Sequence, residues 1–262
     1  MKSGFTYKRA RLLAAIALPL IILMPYVFSR LAARRRRLSV HYLPRAGASK
    51  RESPRGPLRI TTYNIAHGRG ATGSNWGGGS PAERLDRLNK IAELLRRIDA
   101  DVIVLNEVDF DSSWSHSLNQ AHYLAEKAGY PYRVEQRNVD FRVLLWTWRF
   151  GNAVLSRCPV AAARVIDLPG YSTLETVLAG KKRAVLCDIA RETQPFTLIA
   201  THLSYRSEAV RVRSAEVLVE VACENGSPAI VAGDLNSTPP GFPRSRTDSK
   251  GRNAIEVFSK GK

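Results

Sequence analysis

The apolar and polar positions divide the chain into an uncharged N-terminal segment and a longer region in which strand and helix patterns alternate. In the longer region, Ser80, Pro81 and Glu83 form the signature of a capped helix start. Apolar residues then recur at helical spacing and predict one buried face, at Leu85, Leu88, Ile91, Leu95 and Ile98. Further helices are predicted over residues 114–128, 207–223 and 253–258.

Short runs rich in β-branched and aromatic residues predict the strands. These runs cover residues 58–65, 101–108, 142–145, 152–155, 160–167, 184–189, 196–203 and 229–232. Their order mixes β-α-β units with runs of consecutive strands. This pattern favours an α/β domain with mixed sheets over a regular parallel sheet.

The N-terminal segment carries no charge from Leu12 to Ser29, between Arg11 and Arg30. Its length is at the short end of what spans a bilayer, roughly 17–25 residues. A cleaved signal peptide is the alternative, but the arginines at 34–37 are a poor context for cleavage. We therefore predict a single-pass membrane anchor over residues 1–43, with the span at about residues 12–29.

Net charge first suggests a nucleic-acid binder, because the chain of 262 residues has a formal charge of +17. Its distribution changes that picture. Residues 1–57 contain 13 basic residues and one acidic residue, whereas residues 58–262 contain 27 basic and 22 acidic residues. The excess of positive charge thus belongs mainly to the anchor and its flanks. There it bears on lipid contact and on the orientation of the span in the membrane. Because the tighter arginine cluster follows the span, a cytoplasmic domain is slightly favoured.

Residues 44–57 are rich in Pro, Gly, Ser and charge, and predict a linker before a domain over residues 58–262. The three cysteines are odd in number, widely spaced and without a CxxC pattern. This arrangement excludes a disulfide scaffold and a zinc-ribbon site. No protein partner is inferred from the sequence.

Polar side chains follow several apolar strand patterns, at the positions where α/β folds place ligand sites. The strands end at Asn64, at Glu107, at His202 and at Asp234. Carboxylates such as Glu107 and Asp234 are ligands that suit Mg²⁺, which also bridges to phosphate oxygens. An ionised Asp can orient or deprotonate water, and a His beside the phosphate can stabilise its charge. The chemistry that suits this set is metal-assisted attack on a phosphate ester.

Five segments in order carry a family resemblance: TTYNI at 61–65, VIVLNEVD at 102–109, GNAVLSRCPV at 151–160, TLIATHLS at 197–204 and AIVAGDLNSTP at 229–239. Together they resemble the endonuclease/exonuclease/phosphatase superfamily, over residues 58 to about 240. The resemblance implies a DNase I-like four-layer sandwich of two mixed β-sheets flanked by helices. It also implies an enzyme that hydrolyses phosphoric esters with Mg²⁺ or Mn²⁺.

Carried over residue by residue, the resemblance implies that Asn64 and Glu107 lie at the metal. Asp234 would orient or activate the nucleophilic water. Asn236 would hold the phosphate or Asp234, and His202 would contact the scissile phosphate.

Three further residues lie close to these in the sequence motifs. The resemblance implies that Asn152 supports the phosphate site from a nearby strand. His67 follows the first strand and is assigned no catalytic role. Asp109 is interpreted as structural.

Members of the superfamily usually end in a strand with an Asp-His pair. After Asn236 only 26 residues follow and none is His. We therefore predict a domain that is truncated relative to its relatives and weakly active or inactive.

Three functions remain open at this point. The first is a phosphoesterase that acts at a membrane, for example on lipid headgroups. The second is a membrane-anchored nuclease, with a backbone groove formed by Arg142, Arg149, Lys181, Lys182 and Arg183. The third is a catalytically impaired binding or scaffold protein.

Overall fold

A computed structural model describes residues 3–43, 56–178, 180–224 and 226–261 of the protein. The helices are α1 (Ser3–Ala33), α2 (Pro81–Ile98), α3 (Gln120–Ala128), α4 (Thr173–Leu178), α5 (Glu208–Glu224) and α6 (Ala254–Lys260). The strands are β1 (Leu38–Tyr42), β2 (Ile60–Asn64), β3 (Val102–Asp109), β4 (Tyr132–Val143), β5 (Trp146–Ser156), β6 (Val160–Asp167), β7 (Arg183–Ile189), β8 (Phe196–His202) and β9 (Ala229–Asp234).

These strands form two mixed sheets. The first has the order β1-β4-β5-β3-β2, with β2 parallel to β3 and the other neighbours antiparallel. The second has the order β6-β7-β8-β9, with β8 parallel to β9. The predicted α/β class with two mixed sheets and flanking helices is confirmed. In each sheet the parallel pair ends side by side, which places the polar strand ends of the sequence motifs next to each other.

Alternate residues of β3 face different layers, as the two-residue period of a strand requires. Val102 and Val104 lie between the two sheets with Leu198. Ile103 and Leu105 face the other way and pack against α2 and α3. The outer face of the second sheet packs against α5 and α6. Four layers result, and the two sheets share one apolar interior.

The start of α2 has the capping box that the sequence predicts. The Ser80 hydroxyl accepts a hydrogen bond from the Glu83 backbone N–H, and the Glu83 carboxylate accepts one from the Ser80 N–H at 2.8 Å. Of the predicted inner face, Leu88 and Leu95 are fully buried, whereas Leu85 is exposed. The capped start orients α2 so that its apolar stripe covers the first sheet.

Two element predictions are wrong. The predicted strand over residues 142–145 is instead the tip of a long β4–β5 hairpin, where Val143 pairs with Trp146. The predicted helix over 114–128 begins only at Gln120, because the Asn119 side chain caps it by accepting from the His122 N–H. The polar stretch before Asn119 forms a short 3₁₀ turn and a loop.

The first strand, β1, has no counterpart in the sequence predictions. It pairs antiparallel with β4 at the edge of the first sheet, with Leu38 opposite Gln136. Residues assigned to the anchor segment therefore contribute to the sheet. The predicted linker at 44–57 lies outside the described residues except for Gly56 and Pro57. The division into anchor, linker and domain stays a prediction.

Within the described residues, one helix is long and apolar enough to cross a membrane. This stretch covers Arg11–Arg36, with a mean hydropathy of 2.3, and its apolar window is not buried against the rest of the chain. The C-terminal part of α1 packs against the end of β4. There the Arg142 backbone N–H donates to the Ser29 hydroxyl at 3.1 Å.

Candidate active site

The carboxyl ends of β2, β3, β8 and β9 meet at one edge of the sandwich. The Asn64 side-chain amide donates to Glu107 Oε1 at 3.2 Å and to Asp234 Oδ2 at 2.9 Å. His202 Nε2 lies 4.0 Å from Glu107 Oε1 and 3.8 Å from Asp234 Oδ2. Four residues from four separate sequence motifs therefore share one site, at the position that open α/β sheets use for ligands.

A bulge in β3 turns Glu107 toward this site. The register between β3 and β5 shifts between Leu105 and Val108, and Glu107 has a φ of 53°. A non-glycine residue in this left-handed region costs on the order of 1–3 kcal/mol, and such strain concentrates at functional sites. Bulges next to active sites commonly redirect a side chain. The sequence predicts the carboxylate but not the bulge that aims it.

Asp234 is held in a turn at the end of β9. Its Oδ1 accepts from the Asn236 backbone N–H at 3.0 Å, while its other oxygen faces Asn64. The Asn236 side-chain amide donates to the Leu203 carbonyl at 3.1 Å and joins the loops after β8 and β9. Asn236 thus fixes the orientation of Asp234 and lines the same cleft.

Asn106 is a residue that sequence reasoning did not select. It is fully buried, and its amide donates to Asn152 Oδ1 at 2.8 Å and to the Thr201 carbonyl at 3.0 Å. Its Oδ1 accepts from the Asp234 backbone N–H at 2.8 Å. One amide thereby joins β3, β5, β8 and β9 behind the site. Its only sequence signal is an uncharged polar residue next to Glu107 in an otherwise apolar strand.

Asn152 lies behind the cleft and not on its surface. It is fully buried and donates to Gln136 Oε1 at 2.8 Å and to the Arg183 carbonyl at 3.2 Å. Because its Oδ1 accepts from Asn106, Asn152 acts on the site through that residue. This placement gives Asn152 no direct access to a phosphate in the cleft, and its supporting role stays a prediction.

His202, the last residue of β8, is buried and lies beside the two carboxylates. Burial, together with the nearby Lys182 ammonium, lowers the pKa of His202 to about 4, against the opposing influence of Asp234 and Glu107. The imidazole is therefore neutral at pH 7. Burial also lowers the pKa of Lys182, while Glu107 acts in the other direction. The site thus combines two carboxylates, a neutral imidazole and a nearby lysine.

A buried His-Asp pair stands behind Glu107. His67 Nδ1 lies 2.8 Å from Asp109 Oδ1, and His67 Nε2 lies 3.7 Å from Glu107 Oε2. Asp109 also accepts from the Trp114 indole N–H at 2.9 Å. Asp109 therefore holds His67 beside Glu107. The sequence signal for His67 is its place three residues after Asn64.

A sequence model of the endonuclease/exonuclease/phosphatase family matches residues 61–260. The chain belongs to the endonuclease/exonuclease/phosphatase family. All the polar strand ends described above fall inside the matched region. No curated protein matches the chain.

Solved structures of this family share the fold. The endonuclease/exonuclease/phosphatase from Beutenbergia cavernae DSM 12333 has a TM-score of 0.51 and 24% identity over 77% of this chain and 52% of that chain. A mannosyl-6-phosphatase from Bacteroides thetaiotaomicron VPI-5482 has a TM-score of 0.53 and 15% identity over 77% of this chain and 70% of that one. The chain spans about half the length of the Beutenbergia protein. At these identities the likeness concerns the fold alone.

The donor set of this family member suits a hard divalent cation. No group of three or more His, Cys, Asp and Glu side chains that could hold a metal occurs within the described part of the chain. Mg²⁺ does not need such a group, because one or two carboxylates, substrate oxygens and water complete its shell. Glu107 supplies such a carboxylate, and Asp234 lies next to it, on the same Asn64 amide. The residues present therefore fit Mg²⁺ or Mn²⁺.

The basic residues considered for a nucleic-acid groove are mostly engaged elsewhere. Arg149 pairs with Asp140 at 3.0 Å, and Lys181 and Arg183 both pair with Asp167 at 2.9 Å. The Arg142 guanidinium donates to the backbone of the β4–β5 turn. Each of these four residues has a partner within the chain, but two carboxylates do not neutralise the charge of all four.

Gly233 precedes Asp234 and allows close strand contact. It has a φ of 139°, and a Cβ at this position would overlap the Thr201 backbone carbonyl. We expect Gly233→Ala to lower the free energy of unfolding by about 2–4 kcal/mol, because both backbone strain and overpacking oppose it. Urea unfolding of the full chain measures this cost. Gly73→Ala is the matched control, because nothing lies within 4 Å of its Cβ position; equal stability of the two variants would contradict the expectation.

Proposed function

We propose that this protein is a metal-dependent phosphoric ester hydrolase that cleaves a phosphomonoester or phosphodiester. The observation that carries the proposal is the convergence of Asn64, Glu107, His202 and Asp234 at one sandwich edge. Family membership supports a phosphoesterase or nuclease. The mannosyl-6-phosphatase among the structural neighbours supports the fold on which such chemistry occurs.

Each residue has a role that its geometry supports. Glu107 would hold Mg²⁺ or Mn²⁺, which when bound neutralises charge on the phosphate oxygens. The Asn64 amide N–H groups donate to Glu107 and Asp234, and its Oδ1 accepts from a nearby backbone N–H. Asn64 would therefore orient these carboxylates and not bind the metal itself. Asp234, fixed by the Asn236 N–H, would orient the attacking water and accept its proton. His202, neutral because of burial, would donate its N–H to a phosphate oxygen. Asn236 would keep Asp234 in place and contact the phosphate.

We further propose that α1 anchors the protein in a membrane and that the substrate is a phosphate ester at the membrane surface. The length and hydropathy of the Arg11–Arg36 stretch support this anchoring. The arginines at 30 and 34–37 favour a cytoplasmic domain. Anchoring by α1 would hold the site near lipid headgroups, which makes a headgroup the first candidate substrate.

Metal removal is the direct test of this function. We expect the detergent-solubilised full chain to hydrolyse bis-p-nitrophenyl phosphate or p-nitrophenyl phosphate, and to lose activity when treated with EDTA. Added Mg²⁺ or Mn²⁺ is expected to restore it. Glu107→Gln is expected to reduce turnover by about 100-fold or more, because the metal contributes several kcal/mol of charge stabilisation.

Glu93→Gln is the matched control, since Glu93 is exposed on α2. It is expected to keep full activity.

Calorimetric titration with Mg²⁺ distinguishes the alternative functions. No hydrolysis together with no Mg²⁺ binding would favour a binding or scaffold protein. Hydrolysis of single-stranded DNA in preference to phospholipid would favour the nuclease.

A further inference from the structure

We propose that the tip of the β4–β5 hairpin is a membrane-docking surface that lies in the headgroup region of the bilayer. The hairpin tip consists of Leu144, Leu145 and Trp146, and Trp76 extends it. This inference rests on the proposed anchoring by α1 and identifies the second contact that the domain makes with lipid.

The hairpin tip exposes large apolar side chains in one place. Leu145 is 83% exposed, and Leu144, Trp146 and Trp76 are each about half exposed. The Trp76 and Trp146 ring centroids lie 5.0 Å apart, so their side chains form one continuous patch. Adjoining exposed apolar side chains on a folded domain mark an interaction site, whereas single exposed leucines need no explanation.

The turn itself is unusual for its position. Leu144 and Leu145 form the two-residue connection between β4 and β5, and Leu144 has a φ of 52°. Two-residue hairpin turns whose first central residue has a positive φ favour Gly or Asn there. Leu144 at this position gains neither conformational ease nor burial within the chain. An apolar partner outside the chain accounts for both.

Contacts with α1 identify that partner as a lipid bilayer. Arg36 pairs with Asp140 at 3.3 Å, and the Ser29 hydroxyl binds the Arg142 backbone. As the hairpin advances toward its tip, its contacts move from Arg36, in the 3₁₀ turn after α1, back to Ser29 within α1. The hairpin therefore points along α1 toward the uncharged segment that ends at Ser29.

Depth and charge both agree with an interfacial position. At roughly 3.3 Å per strand residue, the turn lies about 7 Å beyond Arg142 on the apolar side. That distance matches the roughly 5–10 Å to which interfacial elements enter a bilayer. Trp side chains favour this zone, and Arg30 and the arginines at 34–37 lie beside it, where anionic headgroups attract cations.

The docking surface is connected to the candidate active site. Trp76 contacts Trp114 with centroids 6.2 Å apart, and the Trp114 indole donates to Asp109. Asp109 in turn holds His67 against Glu107. Docking would thus set the edge that bears the site beside the bilayer surface, where a membrane-bound phosphate ester is present.

Tryptophan fluorescence of the full chain tests this proposal. The protein is reconstituted into phosphatidylcholine–phosphatidylglycerol vesicles whose acyl chains are brominated either near the headgroup or near the chain end. We expect quenching by the shallow bromines and much less by the deep ones. The double variant Trp76→Phe with Trp146→Phe is expected to remove most of that quenching, because both indoles belong to the patch. Trp114→Phe is expected to leave it in place.

A second pair of variants tests the leucines. The double variant Leu144→Asp with Leu145→Asp is expected to lose most of the quenching while keeping its thermal unfolding midpoint. Leu94→Asp, an exposed leucine on α2, is the matched control and is expected to retain full quenching. Unchanged quenching in the double variant would overturn the docking surface.

Hydrolysis of p-nitrophenyl esters by the protein in the same vesicles separates this inference from the proposed function. Turnover without quenching would overturn the docking surface and support the proposed hydrolase. Quenching without turnover would support the docking surface and overturn the proposed hydrolase. Failure of the chain to sediment with the vesicles would overturn both the anchoring and the docking surface.

Discussion

Asp234→Asn is expected to abolish ester hydrolysis while leaving the fold intact. Asparagine keeps the oxygen that accepts from the Asn236 N–H, so the turn after β9 survives. It loses the oxygen that accepts from the Asn64 amide, which retains Glu107 as an acceptor. It cannot take the proton of the attacking water or supply a negative charge. Loss of a general base costs typically about 10²–10⁴-fold in rate.

Turnover of bis-p-nitrophenyl phosphate and a thermal unfolding scan of the full chain measure the two parts of this expectation. Asp86→Asn is the matched control, because Asp86 lies on the exposed face of α2 and pairs only with Lys90 there. Residual activity in Asp234→Asn within a few-fold of the parent would remove Asp234 from the proton-transfer role.

Asn106→Ala is expected to destabilise the protein more than any other polar substitution behind the site. It would leave three buried groups without their partner: Asn152 Oδ1, the Thr201 carbonyl and the Asp234 N–H. Unsatisfied buried polar groups cost about 1–3 kcal/mol each, and the effects are not fully additive. We expect a loss of about 3–5 kcal/mol, a large part of the stability of a domain.

Urea unfolding of the full chain provides the measurement, with Asn89→Ala as control. Asn89 is exposed on α2 and accepts a single hydrogen bond from the Tyr123 hydroxyl. Surface changes of this type stay within about 0.5 kcal/mol. If Asn106→Ala lowered the free energy of unfolding by less than about 1 kcal/mol, the effect would be no larger than that of a single hydrogen bond. The contacts of Asn106 between the two sheets would then not stabilise the protein as we expect.

Local sequence signals predicted those elements whose determinants lie close together in the chain. The capping box of Ser80 and Glu83 fixed the start of α2, and the run Val160–Asp167 matched β6. Most of β4 was missed because many of its residues are charged or polar. Arg133 and Arg137 both pair with Glu135 within the strand itself, so burial is achieved through ion pairs that no hydrophobic pattern shows.

The candidate site divides in the same way. Strand-end polarity and the family motifs select Asn64, Glu107, His202 and Asp234 from the sequence, although their roles stay proposals. The roles of Asn106 and His67 could not be predicted from the sequence. An amide or imidazole beside a strand end gives the same sequence pattern whether its side chain faces solvent or binds other strands. Only the contacts of Asn106 with β5, β8 and β9 distinguish the two.

The sequence by itself determined the family, the fold class and the presence of one apolar helix, because each depends on residue types in order along the chain. The tertiary structure alone decided where Glu107 points, since a bulge with a φ of 53° sets it. It also decided that the hairpin tip lies alongside α1. Residues 29 and 142 are distant in sequence, and only folding brings the Ser29 hydroxyl to the Arg142 backbone.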